Sequence, residues 1–270
     1  MAESVGWARR LTLLRRLWGY GIGGVMIVAV APYPLRGFWD STEIIHRIHD
    51  TVGSVQYLPL WAVPVLVWAH RRNDLSMWRV ALASAIVILV AALCTGDTLG
   101  SGSWLPLGTM LVLWPVEDRR GAWPVRLDRI ALPAAVSAGM LWWVAIVNAP
   151  AFLRFQNVSG GDIHGVRYHY GGMAAASFSL AAAATVIALG RSSRAAVALV
   201  AASVVAVGVA HRVWSEYDSA LAPSWSWLTI AAGVLMAPLA FWEWPALQIS
   251  LRAAAPSPSS SSHPRPTTHS

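Results

Sequence analysis

The histidines of this sequence gather between its long apolar runs, where side chains of this type can do chemistry in contact with water. His46 and His49 lie in one connection, beside Asp50, and His164 and His169 lie in another. A helix through the first group places its side chains on one face, because residues three and four apart are helix neighbours. Imidazoles with a carboxylate suit Zn, Cu or Fe, so these four histidines are candidate ligands of a divalent metal. The alternative is that they are solvated histidines in wet loops.

Three carboxylates occupy similar places at the ends of apolar runs. Asp97 follows one run, and Glu216 and Asp218 follow another. Carboxylates at a membrane boundary are costly and often functional. A desolvated carboxylic acid keeps its proton and can donate it to an alkene or an epoxide. With His49 and His169, these acids are candidate catalytic groups for acid–base chemistry on a lipid or isoprenoid.

The tryptophans allow two interpretations. There are 16 of them in the chain. Their rings could line a cavity and stabilise a cation formed during such a reaction. They could equally form the aromatic belt that membrane proteins place at the two bilayer interfaces.

The elements that must position these residues are membrane helices. The chain is 56% hydrophobic and only 12% charged, half of the about 25% charge typical of a soluble domain. Apolar runs near the length of a bilayer span recur along it, which predicts an all-α, polytopic integral membrane bundle. Eight transmembrane helices are predicted, at about 17–34, 53–70, 79–95, 102–116, 130–149, 172–190, 194–212 and 224–242.

The arginines predict the orientation of the bundle. All 20 basic residues are Arg, and they are split 15 to 5 between alternate sides of the predicted helices. Because basic loops stay in the cytoplasm, both termini are expected there, in a multi-pass protein of the plasma membrane. The candidate site residues then lie on the extracytoplasmic side. Short arginine clusters of this kind orient a membrane protein, so no nucleic-acid partner is predicted.

Recurring short matches indicate an internal duplication. They keep their order along the chain, at offsets of 118 to 123 residues. Four spans per half is an even number, so the two repeats should be parallel rather than inverted. The matches, in chain order, are A-P-x-x-L-R at 31–36 and 149–154, His49 with His169, Arg71 with Arg191, and S-W-L at 103–105 and 226–228.

The predicted domain organisation follows from these repeats. The chain consists of a basic segment 1–16, repeats 17–117 and 130–243, an Arg-rich linker 118–129 and a tail 253–270. The tail is rich in Pro, Ser and Thr and poor in apolar residues, so it is expected to be disordered.

The resulting functional hypothesis is a membrane enzyme acting on a lipid or isoprenoid in a Trp-lined cavity near the extracytoplasmic face. The alternative is a non-catalytic transporter or a subunit of a larger complex. A transporter needs a polar path to the midplane, and the central turns of the spans offer only Ser, Thr and Gln56. The sequence contains no phosphate-binding loop or dinucleotide fingerprint, so no nucleotide cofactor is expected.

Reporter fusions at positions 75, 123 and 160 test the orientation. The arginine distribution predicts cytoplasmic reporter activity at 75 and 123 and extracytoplasmic activity at 160. Extracytoplasmic activity at 75, or cytoplasmic activity at 160, would contradict the predicted topology.

Overall fold

A computed structural model describes most of the chain. It covers residues 2–34, 47–71, 74–95, 103–115, 129–158, 169–190, 192–216, 220–242 and 247–248. Most of the predicted linker and the whole of the predicted tail lie outside these residues.

Eight helices lie within the described residues, one in each of the predicted spans. Six are long and apolar enough to cross a membrane, and α4 and α8 are shorter than the others. The described chain is therefore helical, as the composition predicted, and its six long apolar helices are consistent with a multi-pass membrane protein. The helices are α1 (Ala2–Val30), α2 (Arg47–His70), α3 (Leu75–Thr95), α4 (Trp104–Val112), α5 (Leu132–Val158), α6 (His169–Leu189), α7 (Arg194–Val213) and α8 (Pro223–Met236).

Two short elements complete the described structure. A 3₁₀ turn, Ala237–Ala240, extends α8. The dipeptides Arg129–Ile130 and Leu247–Gln248 pair as an antiparallel two-residue ladder.

Several helix boundaries differ from the predicted ones. α1 begins at Ala2 rather than near residue 17, since the arginines and leucines that precede the apolar run are themselves good helix formers. α5 continues through Pro150 to Val158, so the second A-P-x-x-L-R phrase lies inside a helix and does not end it. α2 contains a π-helical turn, Leu58–Ala62, where Pro59 has no N–H to donate.

The bundle has a central group of four helices, α2, α3, α6 and α7. α6 packs on α3 and α5, while α7 packs on α8 and on α2. α1 lies against the second half of α2, and α4 lies against α3. α6 is rich in alanine, and such small residues let helices in lipid approach closely enough to gain van der Waals contact.

Two polar contacts join the first four helices to the last four. In the middle of the bundle, the Gln56 amide donates a buried hydrogen bond of 3.0 Å to the Ser179 hydroxyl. Where α3 and α7 begin, the hydroxyls of Ser76 and Ser193 lie 3.1 Å apart, and the Ser193 N–H also donates to Ser76. Hydrogen bonds between membrane helices contribute about 0.6 kcal/mol on average, which is enough to favour one helix register.

The order of buried and exposed positions recurs between the two halves. It is identical over 59–69 and 178–188, an offset of 119 residues, and differs at only two positions between 103–115 and 226–238, an offset of 123. In α3 and α7, Ser84 and Ser203 are both buried and again lie 119 residues apart. Buried and exposed positions thus recur in the same order in these stretches of the chain.

α7 and α8 approach each other closely at Gly233 of α8. A Cβ atom on Gly233 would lie 2.9 Å from the Ala201 carbonyl oxygen and 3.0 Å from the Val205 backbone nitrogen. We expect Gly233→Ala to lower the free energy of unfolding by about 1–3 kcal/mol, because backbone atoms must move to admit the methyl group. Thermal unfolding in detergent measures this loss.

Gly139→Ala is the matched control for that substitution. Nothing lies within 4 Å of a Cβ atom at Gly139, which is exposed on α5. It should unfold at the wild-type temperature or above. Equal unfolding temperatures for the two variants would contradict the close packing of α7 and α8.

Candidate functional site

Three rings from three helices meet at one end of the bundle, the end at which α2 and α6 begin and α3 and α5 finish. We call it the outer end, following the predicted orientation. The His49 ring lies edge-to-face with Tyr170, with ring centroids 5.7 Å apart. Tyr170 stacks on Phe155 at 5.5 Å and an interplanar angle of 28°. These rings, which we call the aromatic cluster, connect the first turns of α2 and α6 to the last turns of α5.

The start of α6 is held from both sides. The first N–H groups of a helix have no partner within it, and the buried Gln156 side chain of α5 accepts the hydrogen bond of Gly171 at 3.1 Å. On the other side, a Cβ atom on Gly171 would lie 2.6 Å from Cγ2 of Thr95, the last residue of α3. A side chain at this position would therefore force the Thr95 side chain, α3 or α6 to move.

An arginine lies beside the aromatic cluster. Arg47 is the first residue of α2, and its Nε is buried without a hydrogen-bond partner among the residues that the structure describes. An unpaired guanidinium nitrogen costs free energy unless an acceptor reaches it. Arg47 is thus a candidate for contact with an acidic or oxygen-rich group of a ligand.

An apolar groove of about 320 Å³ leads from the outer end toward the middle of the bundle between α3, α5 and α6. Thr95, Gly171 and Leu153 lie near its outer end, and Trp142 and Phe178 lie toward its other end. The groove is lined by Ile86, Val87, Val90, Ala91, Cys94, Thr95, Trp142, Ala149, Leu153, Gly171, Ala174, Ala175 and Phe178. Because its walls are almost entirely hydrocarbon, it suits a hydrocarbon chain.

The predicted catalytic residues are only partly described. His49 lies in the aromatic cluster, and His169 is the first residue of α6, where the structure gives its backbone only. Glu216 is exposed in the turn after α7. Asp97 and Asp218 lie outside the described residues, so their convergence with His49 stays a prediction.

The predicted metal site is described to a similar extent. His46 and His164 lie outside the described residues, as does the side chain of His169. Within the part of the chain that the structure describes, no group of three or more His, Cys, Asp or Glu side chains is placed to hold a metal ion. The divalent-metal hypothesis therefore depends on residues beyond that part.

The sequence did not identify several residues of this end as site residues. Three of them lie in apolar helices, namely Phe155, Gln156 and Tyr170. Of these, only Gln156 could have been identified from the sequence, because it is an amide at the end of an apolar run. His211 of α7 is fully buried. Its Nδ1 accepts the Leu221 N–H at 3.1 Å, so it fixes the chain that leads into α8.

Comparisons with known proteins gave no match: no protein-family model fits the chain, and neither the curated proteins nor the solved structures contain a significantly similar chain.

A double-mutant cycle measures the contact on which the aromatic cluster depends. His49→Ala and Tyr170→Ala should show a coupling of about 0.5–1.5 kcal/mol in the free energy of unfolding, the range for ring pairs. His49→Ala with Trp143→Ala is the control, since Trp143 lies exposed on α5 and these two effects should add. Additive effects in the first pair would contradict the contact.

Proposed function

We propose that this protein is a multi-pass plasma-membrane enzyme that acts on a lipid or isoprenoid at its outer end. The observation that carries the proposal is the apolar groove, which is lined by Gly171, the residue that follows Tyr170 of the aromatic cluster along α6. A hydrocarbon chain in the groove would have its functional group next to His49, Tyr170 and Phe155. Arg47 would contact an oxygen of that group.

The proposed chemistry is acid–base catalysis. Along the sequence, Asp97 follows two residues after Thr95, which lines the groove, and its carboxylic acid is the proton donor that we propose. In this step the O–H bond of the Asp97 carboxylic acid breaks and leaves a carboxylate. The proton bonds to an alkene carbon as the π bond breaks, or to an epoxide oxygen as a C–O bond breaks, and a carbocation remains. The Tyr170 and Phe155 ring faces would stabilise that cation. Loss of a proton from the neighbouring carbon to His49 would restore a double bond.

The other predicted groups have roles in the same proposal. Glu216 and Asp218 would act as further proton donors or acceptors from the turn after α7. His169, next to Tyr170, would share the role of base. If a divalent metal takes part, His46 and His164 would join His49 and His169 as its ligands, and the metal would polarise the substrate oxygen.

The proposal includes the two parallel repeats, with both termini in the cytoplasm. The recurring burial pattern at offsets of 119 and 123 residues supports the duplication, as does the pair Ser84 and Ser203. A twofold relation along the membrane normal would bring α2 and α6 together near the axis, where Gln56 bonds to Ser179. Such an axis puts the first turns of α2 and α6, and hence the site, at the centre of the outer face.

The described interior favours this enzyme over a transporter. Buried polar residues in the spans are Ser, Thr, Gln and one His, and no Asp, Glu or Arg among the described residues is buried. The Gln56 amide already donates to Ser179. A transport route for a polar solute would need ionisable or open polar groups near the midplane.

Single substitutions at the proposed site test the activity. Asp97→Asn, Asp218→Asn, His49→Ala and His169→Ala are expressed in a host that lacks the protein, and its lipids and terpenoids are measured by mass spectrometry. Loss of a general acid or base typically lowers the rate by about 10²–10⁴-fold, so the product should nearly disappear in at least one variant. Glu117→Gln, on the opposite side of the predicted membrane, is the control and should retain the wild-type profile.

Two outcomes would overturn the proposal in different ways. If all four variants fold and keep the profile while deletion changes it, the assigned site is wrong. If deletion itself leaves the profile unchanged, the protein is not this enzyme, and the transporter or subunit alternative replaces it.

A further inference from the structure

Trp142 and Phe178 line the apolar groove at the end away from the outer end, and we infer that Trp142 sets the length of the hydrocarbon chain that the protein binds. This inference rests on the proposed function, since it assumes that a chain enters the groove from the outer end. It adds the property that the proposed function leaves open, which is the size of the substrate.

Trp142 is held in place by two contacts with α6. Its indole N–H donates a hydrogen bond of 3.0 Å to the Thr185 hydroxyl, and that hydroxyl donates in turn to the Ala181 carbonyl oxygen at 2.8 Å. The Trp142 ring also contacts Phe178, with centroids 5.7 Å apart. In lipid an indole N–H has no water to bond to, so leaving Thr185 is costly and the ring stays across the groove.

The helix geometry gives the length of the groove. At about 1.5 Å of rise per residue, Leu153 and Trp142 lie about 16 Å apart along α5, and Thr95 and Ile86 about 13 Å apart along α3. An extended chain advances about 1.2 Å per backbone bond, so roughly 10 to 13 carbons fit between the outer end and the indole. The volume of about 320 Å³ lies at the small end of ligand sites, which suits one chain.

The occupant is a single hydrocarbon chain rather than a helix of another protein. A helix with its side chains is about 10–12 Å across, which is too wide for a groove of this volume. Ala174 and Ala175 are small residues of α6 in its wall, while Trp142, Leu153 and Phe178 are large ones. This arrangement makes a narrow channel instead of a flat docking face.

A homologous series of straight-chain alcohols tests the inference on the full-length protein in detergent. Native mass spectrometry measures the affinity for each alcohol, from about 6 to about 18 carbons. Each methylene contributes about 0.8 kcal/mol when it moves from water into a hydrocarbon site, so affinity expressed against the free alcohol in water should rise about fourfold per carbon and then level off near 10 to 13 carbons. In Trp142→Ala the levelling should move to longer chains by two carbons or more.

Trp143→Ala is the matched control, because the neighbouring indole is exposed and does not line the groove. It should keep the wild-type cutoff. Thr185→Val removes the hydrogen bond but keeps the shape, and should make the cutoff less sharp. If Trp142→Ala fails to fold, Trp142→Phe replaces it. This substitution removes less of the side chain than alanine does and should shift the cutoff in the same direction.

Cys94 reports where the alcohols bind. It is the single cysteine of the chain, is exposed, and lines the groove, so a bound chain should slow its alkylation by N-ethylmaleimide. If no alcohol binds or protects Cys94 in the wild type, the groove is not a lipid site and the proposed function fails with it. If alcohols bind with a cutoff that Trp142→Ala and Trp142→Phe leave unchanged, only the assignment of chain length to Trp142 is wrong.

Discussion

The contact of Gly171 with Thr95 is the interaction on which the outer end of the bundle depends. A Cβ atom at Gly171 would lie 2.6 Å from Cγ2 of Thr95, so α3 and α6 approach closely there because the position carries no side chain. The same residue donates its N–H to Gln156 and thereby fixes α5. Tyr170, one position earlier, then reaches His49 and Phe155. One backbone position therefore aligns three helices, the aromatic cluster and the outer end of the groove.

The groove below this contact follows from the amino-acid composition of α6. Alanines at 174 and 175 leave space where larger residues would fill the angle between α3 and α5. Lipid provides no hydrophobic force between helices, so a bundle of this kind gains stability where small residues allow close packing. In α6, Gly171 makes the close contact, and Ala174 and Ala175, one turn further along the helix, line the groove. Close packing and substrate space are thus two results of one run of short side chains.

The positions of the helices could be predicted from the sequence better than the site could. An apolar run can be recognised from neighbouring residues alone, and each predicted span coincides with a helix. The predicted start of α1 and end of α5 were wrong, because the arginines before residue 17 and Pro150 both lie inside helices. His49 was identified because histidine stands out in such a sequence. Tyr170, Phe155 and Thr95 come from distant parts of the chain, and only the packing of α3, α5 and α6 brings them together. His49 and His169 lie 120 residues apart, whereas the recurring burial pattern has an offset of 119, so the two histidines differ by one position in that alignment.

α1 is attached to the bundle differently from the other helices. Only 11% of its span is buried, and its close contacts are Gly19 with Ala69 and Gly23 with Leu66, beside an exposed hydrogen bond of 3.0 Å from Tyr20 to His70. We therefore expect α1 to open at a lower free energy than the central four helices. Because α2 follows α1 along the chain, the surface that α1 binds is synthesised after α1 itself. The packing of α1 on α2 can therefore form only after both helices have been made.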